Sequence, residues 1–98
     1  MVVRLHPEAL AEYAEAVDFY EQQAVGLGRE FFAEVQRVLG VIGKSPRLGS
    51  PFEEPYRRAY CRRFPFAVVY REDEDGEVLW VQAVMHLRRR PGYWRSRG

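Results

Sequence analysis

The feature that most constrains this chain is a change in the period of its apolar residues partway along. In the first half they recur at steps of three and four: Leu10, Tyr13, Val17, Tyr20 and Ala24, then Phe31, Phe32, Val35, Val38, Leu39 and Ile42. Each set makes one face of a helix. In the second half the step falls to two. Phe66, Val68 and Tyr70 alternate with Ala67, Val69 and Arg71, and Leu79, Val81, Ala83 and Met85 alternate with Val78, Trp80, Gln82 and Val84. That is the period of a strand. Two helices with wide apolar faces cannot cover each other fully, so they need a third surface, and the strands supply it.

Punctuation residues set the boundaries. Val2–His6 reads as a strand, and Pro7 suits the first position of a helix that runs to Gln23. Val25-Gly26-Leu27-Gly28 predicts a tight connection to a second helix over Leu27–Lys44, which Ser45-Pro46 ends. Arg47–Pro55 reads as a loop, Tyr56–Arg62 as the first strand of a meander and Phe66–Arg71 as its second. Asp73-Glu74-Asp75-Gly76 is a hairpin turn leading into a third strand, Val78–Met85, which is apolar on both faces and therefore central. In the tail, Leu87–Gly98, Pro91 and Gly92 discourage a long helix. The expected fold class is α+β, in the order β-α-α-β-β-β, with a helical hairpin packed on one face of a small antiparallel sheet. Ninety-eight residues suit one domain, 1–98, and 47% apolar residues suffice for its core.

One cysteine, Cys61, allows no internal disulfide. With no basic-then-apolar leader and no long apolar run, a cytoplasmic location without membrane contact is expected. His6, His86 and Cys61 lack ligand spacing, so no metal is expected. Gly26, Gly28 and Gly40 lie at helix boundaries and not in a phosphate loop after a strand, so no cofactor is expected either.

The formal net charge of +1 conceals a segregation. Glu8, Glu12, Glu15, Asp18 and Glu21 fall in a stretch with no basic residue, and the first four form a solvated acidic row on the first helix. Arg57, Arg58, Arg62, Arg63 and Arg71 fall in a stretch with no acid, as do Arg88, Arg89, Arg90, Arg95 and Arg97. Local potential of this kind governs association with a charged partner. Guanidinium groups pair bidentately with carboxylate or phosphate, and those here interleave with Tyr56, Tyr60, Phe64, Tyr93 and Trp94. Neighbouring strands and the adjoining tail are expected to gather them into a single positive surface. The candidate target- or partner-binding residues are Arg57, Arg58, Arg62, Arg63, Arg88, Arg89, Arg90, Tyr93, Trp94 and Arg95. Phe19, off the apolar stripe, and Trp94 would serve a homodimer surface as readily as a partner groove if exposed. His86, followed by Arg88-Arg89-Arg90, has two readings: a proton carrier beside phosphate-orienting arginines, or a structural histidine bonded to backbone at the strand end.

Taken in order, Pro7-Glu8-Ala9, Phe19-Tyr20-Glu21, Gly26-Leu27-Gly28-Arg29-Glu30-Phe31, Ile42-Gly43-Lys44-Ser45-Pro46, Arg57-Arg58, Arg63-Phe64-Pro65-Phe66-Ala67-Val68-Val69-Tyr70 and His86-Leu87-Arg88-Arg89-Arg90-Pro91-Gly92-Tyr93-Trp94 span nearly the whole chain. Together they resemble the ParE branch of the RelE/ParE toxin superfamily, the toxic halves of type II toxin–antitoxin pairs used in plasmid stabilisation. The resemblance implies two helices on an antiparallel sheet whose first strand lies beside the last. It also implies a cognate antitoxin, an acidic or amphipathic segment that wraps and neutralises the toxin. ParE-like members are associated with inhibition of DNA gyrase without hydrolysis; RelE-like members cleave mRNA on the ribosome. Where the nucleases resemble one another in a strand arginine, this chain has Ala67, and Leu87 follows His86 where they carry an aromatic. The binding role is therefore the expectation, with a ribosome-dependent endoribonuclease built on His86, Arg88 and Arg63 as the alternative.

Overall fold

Both helices form where the periodicity places them, and local chemistry explains their ends. The computed structural model describes residues 1–90 and 92–97; Pro91 and Gly98, on which part of the expected tail falls, lie outside the described residues. Strand β1, Val2–Leu5, leads into α1, Pro7–Gln23, whose first turn is capped by His6: its Nδ1 accepts the Glu8 amide at 3.2 Å. Gly26, at φ 85°, takes the left-handed conformation that turns the chain into α2, Leu27–Lys44. The carboxylate of Glu21 accepts the amides of Gly26 and Gly28 at 3.0 Å each, satisfying donors at the start of α2.

After α2 come β2 (Ser50–Pro51), β3 (Arg57–Tyr60), β4 (Phe66–Glu72) and β5 (Val78–His86). They join β1 in one sheet of order β1-β5-β4-β3-β2. The first strand lies beside the last, as expected. It runs parallel to β5, with Val2 opposite Val78 and Leu5 opposite Val81, so the sheet is mixed. Parallel neighbours need a long crossover, and here the helical hairpin and the other strands provide it. The expected loop also yields two residues to the sheet: Ser50 and Pro51 pair with Arg58 and Arg57 at the edge, where a proline is tolerated. Strand β3 is shorter than its apolar pattern suggests. The Tyr56 carbonyl closes a turn by accepting the Phe52 amide, and Arg63 at φ 69° takes the chain out of the strand.

The core has two parts, one on each face of the sheet. On the helical side Ala9, Tyr13, Ala16, Phe31, Val35, Val38 and Ile42 pack on Phe66, Val68, Tyr70, Leu79, Val81 and Val84. On the other side Ala67, Val69, Ala83 and Met85 pack with Trp94 from the tail. Strict alternation along β5 fails at Gln82. Val69 pairs with Ala83 and Tyr70 with Val81, so Gln82 is an extra residue, a bulge. The bulge reverses the faces beyond it. Val84 joins Leu79 and Val81 against the helices, and Ala83 and Met85 turn to the tail side, which corrects the expected grouping.

Helix α1 sits one notch round from its expected stripe: Ala9 and Ala16 carry it into the core and Leu10 is 55% exposed. Helix α2 buries Phe31, Val35, Val38, Leu39 and Ile42 as expected and leaves only Phe32 of its stripe exposed, at 46%. Among the described residues, no helix is long and apolar enough to cross a membrane.

Candidate functional site

Successive strand residues face opposite ways, and this separates the arginines from the start. Arg57 lies opposite Tyr70 on the helical side, and Arg58 opposite Val69 on the tail side. Arg57 donates through Nη1 to the carbonyls of Gly49 at 2.7 Å and Arg47 at 3.3 Å. Beside it the Tyr70 hydroxyl accepts the Gly49 amide at 2.9 Å and donates to the Pro46 carbonyl at 2.7 Å. Together they peg down the loop after α2. Burial raises the Tyr70 hydroxyl above the ordinary tyrosine value, so it stays a donor. Arg58 instead lies between two rings, its Cζ 4.0 Å from the Phe52 centroid and 4.9 Å from that of Tyr60.

The β3–β4 turn faces α2 and its acids. Exposed Arg63 pairs with Glu30 at 2.7 Å. The Arg62 amide donates to Glu34 at 2.5 Å, and Arg37 donates to the same carboxylate through Nε and Nη2 at 2.8 and 2.7 Å. Hydrogen bonding from Arg37, with the Arg62 amide adding to it, holds the Glu34 carboxyl below the usual glutamate range.

The tail is built around Glu12. This residue leaves the acidic row and, 13% exposed, turns to the free edge of β5 beyond the end of β1. It accepts the Val84 amide at 3.2 Å, the Tyr93 hydroxyl, and the Arg97 guanidinium at 2.7 and 3.1 Å. Arg97 is only 8% exposed and also pairs with Glu8 at 3.0 Å. The bulge residue completes the closure: Gln82 Nε2 donates to the Trp94 and Arg97 carbonyls at 3.1 and 2.6 Å, and its own carbonyl accepts from Arg97 at 3.1 Å. Desolvation first, and then the bond to Glu12, push the Tyr93 hydroxyl well above the ordinary tyrosine range. Trp94, expected at an exposed surface, is 0% exposed and packs on Tyr56 and Phe52 at 4.6 and 5.9 Å. It cannot touch a partner while the tail is in place. Phe19 is 57% exposed.

His86 sits where β5 gives way to an exposed turn, Arg88, Arg89 and Arg90. Its Nδ1 accepts the Arg88 amide at 3.0 Å and its carbonyl accepts the Arg89 amide at 3.0 Å, the strand-end role that was one of its two readings. The neutral ring therefore carries its proton on Nε2. The ring meets Phe66 edge-on at 5.0 Å and borders a cleft of about 330 Å³ lined also by Glu15, Phe19, Tyr20, Arg89 and Tyr93. Arg89 lies 3.8 Å above the Tyr93 ring.

The arginines thus do not form the single positive surface expected of them. Arg57 and Arg58 diverge, Arg63 and Arg95 are paired with Glu30 and Glu53, and Arg97 is enclosed by Glu8 and Glu12. Among the described residues the Arg88–Arg90 turn beside His86, Arg58 with Tyr60 on the tail side, and exposed Arg62 stay accessible. The sequence reading also passed over an apolar groove of about 670 Å³ between α1, α2 and β1. Leu10, Ala14 and Val17 line it from α1; Phe32, Gln36 and Leu39 line it from α2; Asp18 stands at its side. Its signal was present as a second line on each helix, stepping by four and three beside the core stripe.

A family model described as the ParE toxin of a type II toxin–antitoxin system, parDE, matches residues 3–91. Nothing among curated proteins matches the chain. Among solved structures, a chain of the chromosomal ParDE TA system from P. aeruginosa is similar over 89% of this chain and 96% of that one, with 19% identity and a TM-score of 0.64. At that identity the likeness is one of fold.

Proposed function

The chain belongs to the ParE family of type II toxin–antitoxin toxins, a membership that implies a cognate antitoxin, and from that premise we propose that it acts in the cytoplasm by binding a macromolecular target, DNA gyrase, without hydrolysing a substrate. Residues 1–98 would act as one domain, with the Arg88–Arg90 turn as the target-facing group and the antitoxin occupying the groove between α1, α2 and β1. Ala67 carries the choice of binding over cleavage. It stands where a nuclease-like strand would offer a guanidinium, and it is fully buried in the cluster that holds Trp94. Positioned charge accounts for much of the acceleration in phosphoryl chemistry, so a packed alanine at that point favours recognition. Apolar lining and exposed Leu10 and Phe32 support the groove as a partner surface. A supercoiling assay with purified toxin tests the target: inhibition at micromolar toxin, relieved by antitoxin, is expected, and its absence refutes gyrase.

The cleft beside His86 favours a second reading, a ribosome-dependent endoribonuclease using His86, Arg88 and Arg63. Arg63 weakens it, because its guanidinium is engaged with Glu30. Primer extension on translated mRNA separates the two readings. Toxicity that survives His86→Ala, with no cleavage by either protein, excludes the enzyme.

A further inference from the structure

Arg58 is the one arginine on β3 that faces the tail side of the sheet. Its Cζ lies 4.0 Å from the Phe52 centroid and 4.9 Å from that of Tyr60, and the turn closed by the Phe52 amide and the Tyr56 carbonyl holds the first of these rings in place. Among the described residues its Nε is buried with no acceptor, and its guanidinium has no carboxylate partner. The neighbouring acid is already taken, because Glu53 pairs with Arg95. A fixed cation has thus been left unpaired beside Tyr60, which is 49% exposed.

This geometry limits what the group can bind. Aromatic rings already stand 4.0 and 4.9 Å from its Cζ, so a nucleobase would have to compete with them to stack on it. Its edge stays open to a partner, and the terminal nitrogens there present two parallel donors in one plane. Such an edge matches the two oxygens of a carboxylate. The charge count agrees: with Arg95 neutralised locally, one guanidinium balances one carboxylate, whereas a nucleic-acid backbone is held by several cations along its length. Because contact with the two rings already limits the freedom of a long side chain, little further ordering is needed on binding.

We infer that Arg58 is an edge-on receptor for one Asp or Glu side chain of the antitoxin, held ready by Phe52 and Tyr60. A stretch of antitoxin separate from the one in the groove runs along the β2–β3 edge, outside the face covered by Trp94, and sets an acidic residue against Arg58 with an apolar neighbour on Tyr60. This rests on the reading that the protein works through protein partners, but not on gyrase as the target.

The test is the dissociation constant of the full-length toxin with its antitoxin, for wild type, Arg58→Gln and Arg58→Lys, at low and physiological salt. Arg58→Gln should weaken binding about 10- to 100-fold, mainly through faster dissociation. Arg58→Lys keeps the charge but loses the fork, and should fall between. Replacing antitoxin acids singly by Gln should find one whose effect vanishes in the Arg58→Gln background. Unchanged affinity for both variants overturns the inference, and if Arg58→Gln does not fold by far-UV CD, Arg58→Lys carries the test. Loss of binding to a labelled single-stranded oligonucleotide, with antitoxin affinity unchanged, overturns it in favour of nucleic acid. A wild-type toxin that leaves supercoiling untouched refutes gyrase alone, since the antitoxin titration reads a separate event.

Discussion

Replacing Glu12 by glutamine should destabilise the protein far more than a surface carboxylate would. The shape is kept, but the one remaining oxygen can accept from Val84 or from Tyr93 and not from both, and the charge facing Arg97 is lost. The two side chains are 13% and 8% exposed, so the pair is nearly dry. Removing one partner of a buried ion pair costs about 3–5 kcal/mol, because the other is left charged and unmatched. Glu8, 66% exposed and 3.0 Å from Arg97, offsets part of this, which places the expected loss at about 3 kcal/mol. For a domain of this size that corresponds to a fall in Tm of roughly 12–24 °C. Urea unfolding followed by tryptophan fluorescence measures it, since Trp94 leaves its buried site when the tail detaches. Arg97→Met supplies the control: the double variant should be more stable than Glu12→Gln alone, because no orphan charge remains. A loss below about 1 kcal/mol, or simple additivity of the two changes, would refute the reasoning.

Adding a methyl group at Gly28 should separate the helices, because its Cβ would lie 2.5 Å from the Val17 carbonyl oxygen and 2.9 Å from Glu21 Cβ. At Gly40, where nothing lies within 4 Å, Gly40→Ala should stabilise by about 0.5–1 kcal/mol in the same denaturation assay. Burial pushes the Cys61 thiol up to about 12, with the Glu34 carboxylate adding to it, so alkylation by iodoacetamide at neutral pH should be at least about 100-fold slower in the native protein than in urea. The Glu34 carboxyl lies below its unfolded value, so its stabilising contribution is complete above the ordinary glutamate pKa and fades as pH falls through the lower native one. Glu34→Gln should flatten that part of the stability–pH curve, and an unchanged acid limb would contradict the pairing with Arg37.

Where local pattern decides the structure, the chain is legible. Both helix spans are visible in the three-four spacing and the punctuation of Pro7, Gly26 and Pro46, and the hairpin turn in Asp75-Gly76. Long-range choices are another matter. Glu12 looks like its acidic neighbours until the fold brings the Val84 amide and Arg97 to it from the other end of the chain. Small alanines hid which line of α1 is buried: Ala9 and Ala16 are in the core although Leu10 is the larger apolar residue. Trp94 amid arginines suggested an exposed aromatic, yet a bare sheet face of Ala67, Val69, Ala83 and Met85 offered it more apolar contact than solvent did. Charge clustering in sequence likewise did not carry into space, because strand alternation and nearby acids on two helices divide the arginines.

The extra residue at Gln82 gives the family a way to redesign its cleft without altering any side chain. Residues beyond it lie on the side opposite to the one simple alternation assigns, which is how His86 comes to border α1 and Tyr93. Taking Gln82 into the ladder would turn Val84 and His86 toward the tail and bring Met85 against the helices, whereas deleting it would leave their faces as they are. In a sheet of this kind, taking one residue into the ladder or leaving it out as a bulge is a switch of surface, and relatives that keep this strand length but pair it without a bulge should present a different face to whatever they bind.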